Sequence, residues 1–199
     1  MKNGLMHFSF LMTIILLSIP DALSQNALRN PGFETFVNGE PGDWATSNIP
    51  GMLVLVSQSK EAHSGKSGIK LEVKPFYGTK MAGTATQENI RITTPQVQFR
   101  GFYMLKSVGG DKALVNVILI NENGSTICVE NLNLEPAASF ERFSLPANAP
   151  DGSTVVKAKV CIAIIGGNND QLHEGTVAIF DDFLLAPQTV EKDTLGKAR

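Results

Sequence analysis

Ile69, Leu71 and Val73 alternate with Lys70, Glu72 and Lys74, a period of two that predicts a half-buried strand. Similar segments recur at 52–58, 84–93, 97–106, 113–121, 126–134, 140–145, 155–165 and 176–185. Turn signals separate them: Pro50-Gly51, Ser64-Gly65, Thr94-Pro95, Gly109-Gly110, Asn123-Gly124, Asp151-Gly152 and Gly166-Gly167. No stretch carries a sustained helical period with caps. Nine short, regularly punctuated strands predict an all-β chain folded as a two-sheet β-sandwich, a jelly roll.

Strand parity then sorts the side chains. Within 97–106, Val97, Phe99, Tyr103 and Leu105 share one face, and Arg100, Phe102, Met104 and Lys106 share the other. Within 84–93, burying Ile90 and Ile92 turns Gln87, Asn89 and Arg91 outward. Only Thr94-Pro95-Gln96 separates the two segments, which predicts antiparallel neighbours with one combined outer patch of Gln87, Asn89, Arg91, Arg100 and Phe102. Amides, guanidinium forks and a ring suit sugar hydroxyls and pyranose faces. The same pattern also describes an ordinary solvated sheet face.

In the last segment Ile179, Asp181, Phe183 and Leu185 fall on one face, which sets Asp181 among hydrophobic residues. A buried carboxylate requires a cation or a dense set of donors. Calcium, which takes carboxylate and carbonyl oxygens, is one such partner; backbone amides at a bulge are the other.

Composition narrows the class. The 199 residues carry 17 Lys+Arg against 19 Asp+Glu, a net charge of −2, which disfavours nucleic acid as a partner. Lys2, the apolar run 8–19 (FSFLMTIILLSI), Pro20 and the small residues Ala22 and Ser24 form a secretory leader cleaved after Ser24. The run is too short for a stable membrane span, and no Cys follows it to carry a lipid. The expected organisation is a leader at 1–24, one β-domain at 25–187 and a polar tail at 188–199, in a secreted or periplasmic protein. Cys128 and Cys161 either pair across strands or act as small buried hydrophobes.

A series of motifs then resembles the carbohydrate-binding modules of the family 4/9/22 type, which are galactose-binding-like. Asn30-Pro31-Gly32-Phe33-Glu34 with Gly42-Asp43-Trp44 looks like their opening, and Ala62-His63-Ser64-Gly65-Lys66-Ser67-Gly68 like their second signature. Gln87 with Phe99-Arg100-Gly101-Phe102-Tyr103-Met104-Leu105-Lys106 resembles their Q…Y-x-L-x-F-x-x-K stretch. Phe140-Glu141-Arg142-Phe143 is similar to their W-x-x-Y, and Asp181-Asp182-Phe183-Leu184-Leu185 to their closing D-D-V-x-L. The matches keep family order across nearly the whole mature chain.

The resemblance implies a galactose-binding-like jelly roll with a structural calcium ion, held by the Glu34 and Asp181 carboxylates and the Gly32 and Lys66 carbonyls. It implies a poly- or oligosaccharide ligand bound by Gln87, Arg91, Arg100 and Phe102, with Trp44 and Tyr77 as further aromatic candidates. Trp44 serves equally as core packing, and Met104 stands where such modules often carry Trp.

Enzyme signatures are absent. Ser64-Gly65-Lys66-Ser67 lacks the first glycine of a phosphate loop, and neither G-x-S-x-G nor H-E-x-x-H occurs. Glu72, Glu88, Glu122, Glu130 and Glu174 cannot be paired as glycosidase carboxylates from sequence. The reading is a secreted, non-catalytic carbohydrate-binding module, with a separately encoded glycan-active enzyme as a candidate partner. The alternatives are an adhesion or envelope-assembly protein that uses the sandwich for protein contacts, and a small jelly-roll glycan lyase or hydrolase.

Overall fold

The computed structural model describes residues 25–167 and 170–188; the expected leader and the tail from residue 189 onward lie outside them. Thirteen strands follow in order: β1 Phe36–Val37, β2 Glu40–Pro41, β3 Ala45–Thr46, β4 Val56–Ser59, β5 Gly68–Phe76, β6 Thr79–Ala82 and β7 Thr84–Arg91. After them come β8 Gln96–Lys106, β9 Lys112–Asn121, β10 Thr126–Leu134, β11 Ala137–Asn148, β12 Val155–Ile165 and β13 Val177–Pro187. One sheet has the order β10-β9-β12-β7-β3; the other runs β11-β8-β13-β5-β4, with β6 paired to β5 and β1-β2 forming a separate ribbon. The two sheets pack face to face as an all-β jelly roll.

Eight of the nine expected segments are strands over most of their length, and of 52–58 only the part from Val56 is one, β4; their apolar faces meet between the sheets. Ile69, Leu71 and Val73 of β5 are buried there, as are Val115, Val117 and Leu119 of β9. Asn123-Gly124 turns β9 into β10, with Gly124 at a φ of +79° that suits glycine. Pro146 lies in β11, the edge strand of its sheet, where a missing N–H interrupts no ladder on the solvent side.

The expected pairing of 84–93 with 97–106 is wrong. β7 pairs with β12 and β3, whereas β8 pairs with β11 and β13 in the opposite sheet. The Thr94-Pro95 turn therefore carries the chain across the sandwich rather than back along one sheet. Both strands still point apolar faces inward, so periodicity alone could not separate a hairpin from a crossover.

Two irregularities also break the parity rule. β7 shifts register between Ala158 and Val160 of its partner, with Asn89 at a φ of +54°. The extra residue places Ala85, Gln87 and Ile90 all inside. β13 shifts between Asp181 and Leu184, with Asp182 at +51°. Phe180 and Phe183 both point inward as a result, and Asp181, opposite Phe102, turns to the outer side of its sheet.

Phe183 becomes the hub of an aromatic core. Its ring lies 5.0 Å from Phe99, 5.1 Å from Phe33, 5.7 Å from Phe143, 5.8 Å from Trp44 and 5.9 Å from Phe180. Gly101 makes room for it: a methyl there would overlap Phe183 Cδ1 and sit 2.8 Å from Phe143 Cε1. Overfilling such a core costs about 1–3 kcal/mol. Gly101→Ala should therefore lower the melting midpoint by several degrees; a scanning-calorimetry trace matching that of the unaltered protein would contradict this packing.

Candidate functional site

The most conspicuous side-chain assembly lies where the chain's first segment meets its last strand. Asp181 is fully buried, not in the core but beneath the 61–67 turn. Its carboxylate accepts the backbone N–H groups of His63 at 2.8 Å, Ser64 at 3.0 Å and Asp182 at 2.7 Å. Burial pushes the Asp181 carboxyl up from its ordinary range; the three N–H bonds oppose that rise and the neighbouring Asp182 charge adds to it. Asp182 accepts His63 Nδ1–H at 2.6 Å and the Ser64 hydroxyl at 2.8 Å.

Glu34 reaches into the same turn. It accepts Lys66 N–H at 2.8 Å and Ser67 N–H at 3.4 Å, while Ser67 Oγ donates to the Phe33 carbonyl at 2.8 Å. A side chain at Gly65, whose φ is +66°, would overlap Glu34 Oε1. Gly32 lies against the same carboxylates, with a Cβ position 3.6 Å from Asp182 Oδ1 and 3.9 Å from Asp181 Oδ1. Gly32, Glu34, Lys66 and Asp181 are thus parts of one cluster. Two of the four would offer only backbone carbonyls, and among the described residues no group of three or more His, Cys, Asp or Glu side chains is spaced to hold a metal. The donor set, two carboxylates plus main-chain oxygen, suits a hard cation such as calcium.

The expected sugar-contacting patch is dispersed. Gln87 is buried: its carbonyl accepts Arg29 N–H at 2.9 Å, and its amide donates to the Arg29 and Asp43 carbonyls at 2.8 and 3.3 Å. It fastens the N-terminal segment and has no free donor to offer. Trp44 is also core, packed on Phe33 and Phe183 with Nε1–H bonded to the Arg29 carbonyl at 3.2 Å. Arg91 is exposed on the β7 sheet beside Lys157, across the sandwich from Arg100 and Phe102. Tyr77 is 83% exposed at the β5–β6 turn, where its ring meets Phe76 edge-on.

Arg100 and Phe102 do share a surface, the outer face of the β11-β8-β13-β5-β4 sheet. Phe102 is half-buried because the His63 ring stacks on it at 3.5 Å with a 9° interplanar angle, and Phe140 meets His63 edge-on at 5.8 Å. Beside them lies a groove of about 690 Å³, floored by Met104, Val177 and Ile179 and walled by Pro136 and Ala138. Glu61, Lys106 and Ser107 supply polar groups at its margin. That volume falls in the range of small-ligand sites, and an apolar floor with few polar groups is their usual make-up. Sequence reasoning missed the groove because its wall, Pro136 and Ala138, falls between the expected segments 126–134 and 140–145.

The opposite sheet differs in composition. Its strands β10, β9, β12, β7 and β3 contain no aromatic residue. A smaller hollow of about 270 Å³ there is lined by Thr46, Thr84, Thr86 and the Lys159–Glu88 ion pair. Cys161 and Cys128 are both free; Cys161 stands opposite Asn116 on the outer side and Cys128 opposite Leu119 on the inner side, so they do not bridge.

Of the carboxylates weighed as glycosidase candidates, Glu72 and Glu88 lie on opposite sheets. Burial pushes the Glu72 carboxyl up, but Lys74 and Lys70 outweigh it and hold the group below its ordinary range, which keeps it ionised. A general acid needs the opposite shift.

A second His–Asp pair closes one end of the sandwich. Asp111 is fully buried and accepts His173 N–H at 2.9 Å, His173 Nδ1–H at 2.9 Å and the Thr176 hydroxyl at 2.8 Å. Burial pushes its carboxyl up, but the ring and backbone of His173 and the Thr176 hydroxyl outweigh that, so its pKa falls below the ordinary 3.8. The ionised form therefore stabilises the fold at every pH above that ordinary value, and the gain disappears as pH falls through the lower folded value. Asp111→Asn should melt below the unaltered protein at pH 7, with the gap closing as the pH is taken below about 4. A gap that widened on acidification would contradict this role.

Comparison with solved structures matches the sandwich to carbohydrate-binding modules. A family 61 carbohydrate-binding module in complex with β-1,4-galactotriose superposes with a TM-score of 0.57 at 18% identity, over 83% of this chain and 100% of that one. A family 16 carbohydrate-binding module gives 0.54 at 16% identity, over 81% of this chain and 99% of that one. An arabinose-bound α-L-arabinofuranosidase gives 0.56 at 16% identity, over 83% of this chain but only 27% of the enzyme. No protein-family model matches the chain, and no curated protein sequence does. At these identities the likeness establishes the fold, a β-sandwich jelly roll of the kind these modules have.

Proposed function

We propose that this protein is an exported, non-catalytic carbohydrate-binding module that takes a poly- or oligosaccharide in the groove on the outer face of the β8–β13 sheet. The carrying observation is the groove itself: apolar ground at Met104, Ile179 and Val177 for the flat face of a sugar ring, with polar groups at its margin for hydroxyls. The module fold supports the same reading. Glu61 is the one carboxylate-bearing residue among those lining the groove, and glycoside hydrolysis needs two. A leader at 1–24 accords with an extracellular glycan, and a separately encoded glycan-active enzyme is the partner such a module would serve.

Affinity electrophoresis through xylan, β-glucan, mannan and host-type glycans tests this reading. At least one gel should retard the protein. Ala138→Trp, which fills the groove from an exposed position, should abolish the retardation with an unchanged melt. Silence across the panel would favour the protein-contact alternative, and retardation that survives Ala138→Trp would move the site elsewhere.

The Asp181–Glu34 cluster would hold a calcium ion, with Gly32 and Lys66 adding carbonyl oxygens. The ion would supply charge compensation for a desolvated carboxylate and fasten the N-terminal segment to β13. Calcium at a hundredfold excess over its dissociation constant would add about 2.7 kcal/mol of stability. Chelator should therefore lower the melting midpoint, and Asp181→Ala should erase that response. A midpoint indifferent to chelator would eliminate the ion.

A further inference from the structure

We infer that the glycan is anionic, and that Arg100 and Arg142 read its carboxylate or sulfate groups; this rests on the groove as the sugar site. The two arginines stand on the outer face of the neighbouring strands β8 and β11. Arg142 lies opposite Phe102 and Ser144 opposite Arg100, so the guanidinium groups sit diagonally across the strand pair. Diagonal neighbours are about 7–8 Å apart, close enough for long side chains to converge on one group.

Neither guanidinium has an ion-pair partner among the described residues. Among the described residues the arginine ion pair is Arg29–Asp43, and the remaining pairs use Lys70, Lys74, Lys112, Lys159, His63 and His173. Arg100 Nε is shielded from solvent and meets no hydrogen-bond acceptor. An N–H withdrawn from water without a partner is unfavourable, and a planar guanidinium fork matches the two oxygens of a carboxylate or sulfate. Ser144, opposite Arg100, accepts Gln98 Nε2–H at 2.8 Å and makes no hydrogen bond to Arg100 Nε.

Unpaired cations collect on this face: Arg100, Arg142 and Lys106 have no ion-pair partner among the described residues. Of its carboxylates, Glu72 is held between Lys70 and Lys74 at 3.2 and 3.0 Å, Asp181 accepts backbone N–H groups, Asp182 is paired with His63, and Glu61 stands at the groove margin. Lys106, Met104, Phe102 and Arg100 follow at every second position of β8, so one line of about 20 Å at 3.3 Å per residue joins the groove to the arginine pair. His63, stacked on Phe102, stands between them. A saccharide chain lying along β8 would set its rings over Met104 and its acidic substituent at the arginines.

Isothermal titration of the full mature chain with polygalacturonate, dextran sulfate, unmodified dextran and xylan tests the inference and separates the two anions. Binding to at least one anionic polymer should exceed binding to the neutral ones by tenfold or more, and should weaken as salt rises. Arg142→Ala, an exposed substitution, should remove most of that preference, with Arg142→Lys restoring part of it. Arg100→Ala should act likewise where its melt shows a folded protein. Lys157→Ala, which removes a charge from the opposite sheet, should change nothing. Neutral polymers bound as tightly as anionic ones would overturn the inference and leave the groove reading intact. Anionic binding equally sensitive to Lys157→Ala and Arg142→Ala would overturn the arginine assignment. Silence toward all four polymers would count against the groove as a sugar site and against this inference together.

Discussion

The extra residue in β13 at Asp181–Asp182 governs both the core and the surface above it. It moves Phe183 inward, where five rings gather around it, and moves Asp181 outward under the His63–Ser64 turn. A left-handed conformation at Asp182 is unfavourable for a residue with a Cβ. The surroundings compensate: Phe183 N–H donates to the Pro31 carbonyl at 2.9 Å, and the two aspartates together engage both residues of the turn. The N-terminal segment, the 61–67 turn and the last strand are therefore joined at one place.

The surface consequences follow from that junction. A turn pinned to Asp181 holds His63 against Phe102, and the stacked pair marks one end of the groove. Pro136 of the β10–β11 turn and Ala138 at the start of β11 supply the opposing wall. The same sheet carries Arg100 and Arg142 past the stack, whereas the strands of the opposite sheet bring no aromatic ring at all. The two faces are thus chemically unequal, and the difference is written in strand composition.

Period-two alternation was enough to locate nine strands and the jelly-roll class, because each strand buries one face. It misassigned Gln87 and the environment of Asp181, since a bulge reverses parity downstream and leaves no mark in the alternation. The Thr94-Pro95 turn has the length of a hairpin but crosses between sheets, which split the expected patch into Arg91 on one side and Arg100 with Phe102 on the other. Trp44 illustrates a different limit: a lone Trp after Gly-Asp suits a core or a platform equally, and only the neighbouring Phe33 and Phe183 decide it. The association of Gly32, Glu34, Lys66 and Asp181 was legible through motif order, not spacing.

Amide chemical-shift mapping of the labelled protein during glycan titration would locate a saccharide on the β8–β13 face. Shifts should concentrate at Phe102, Met104, Lys106, Ala138 and Ile179, with β9 and β12 undisturbed. Shifts centred instead on Thr84, Thr86 and Lys159 of the opposite sheet would contradict it.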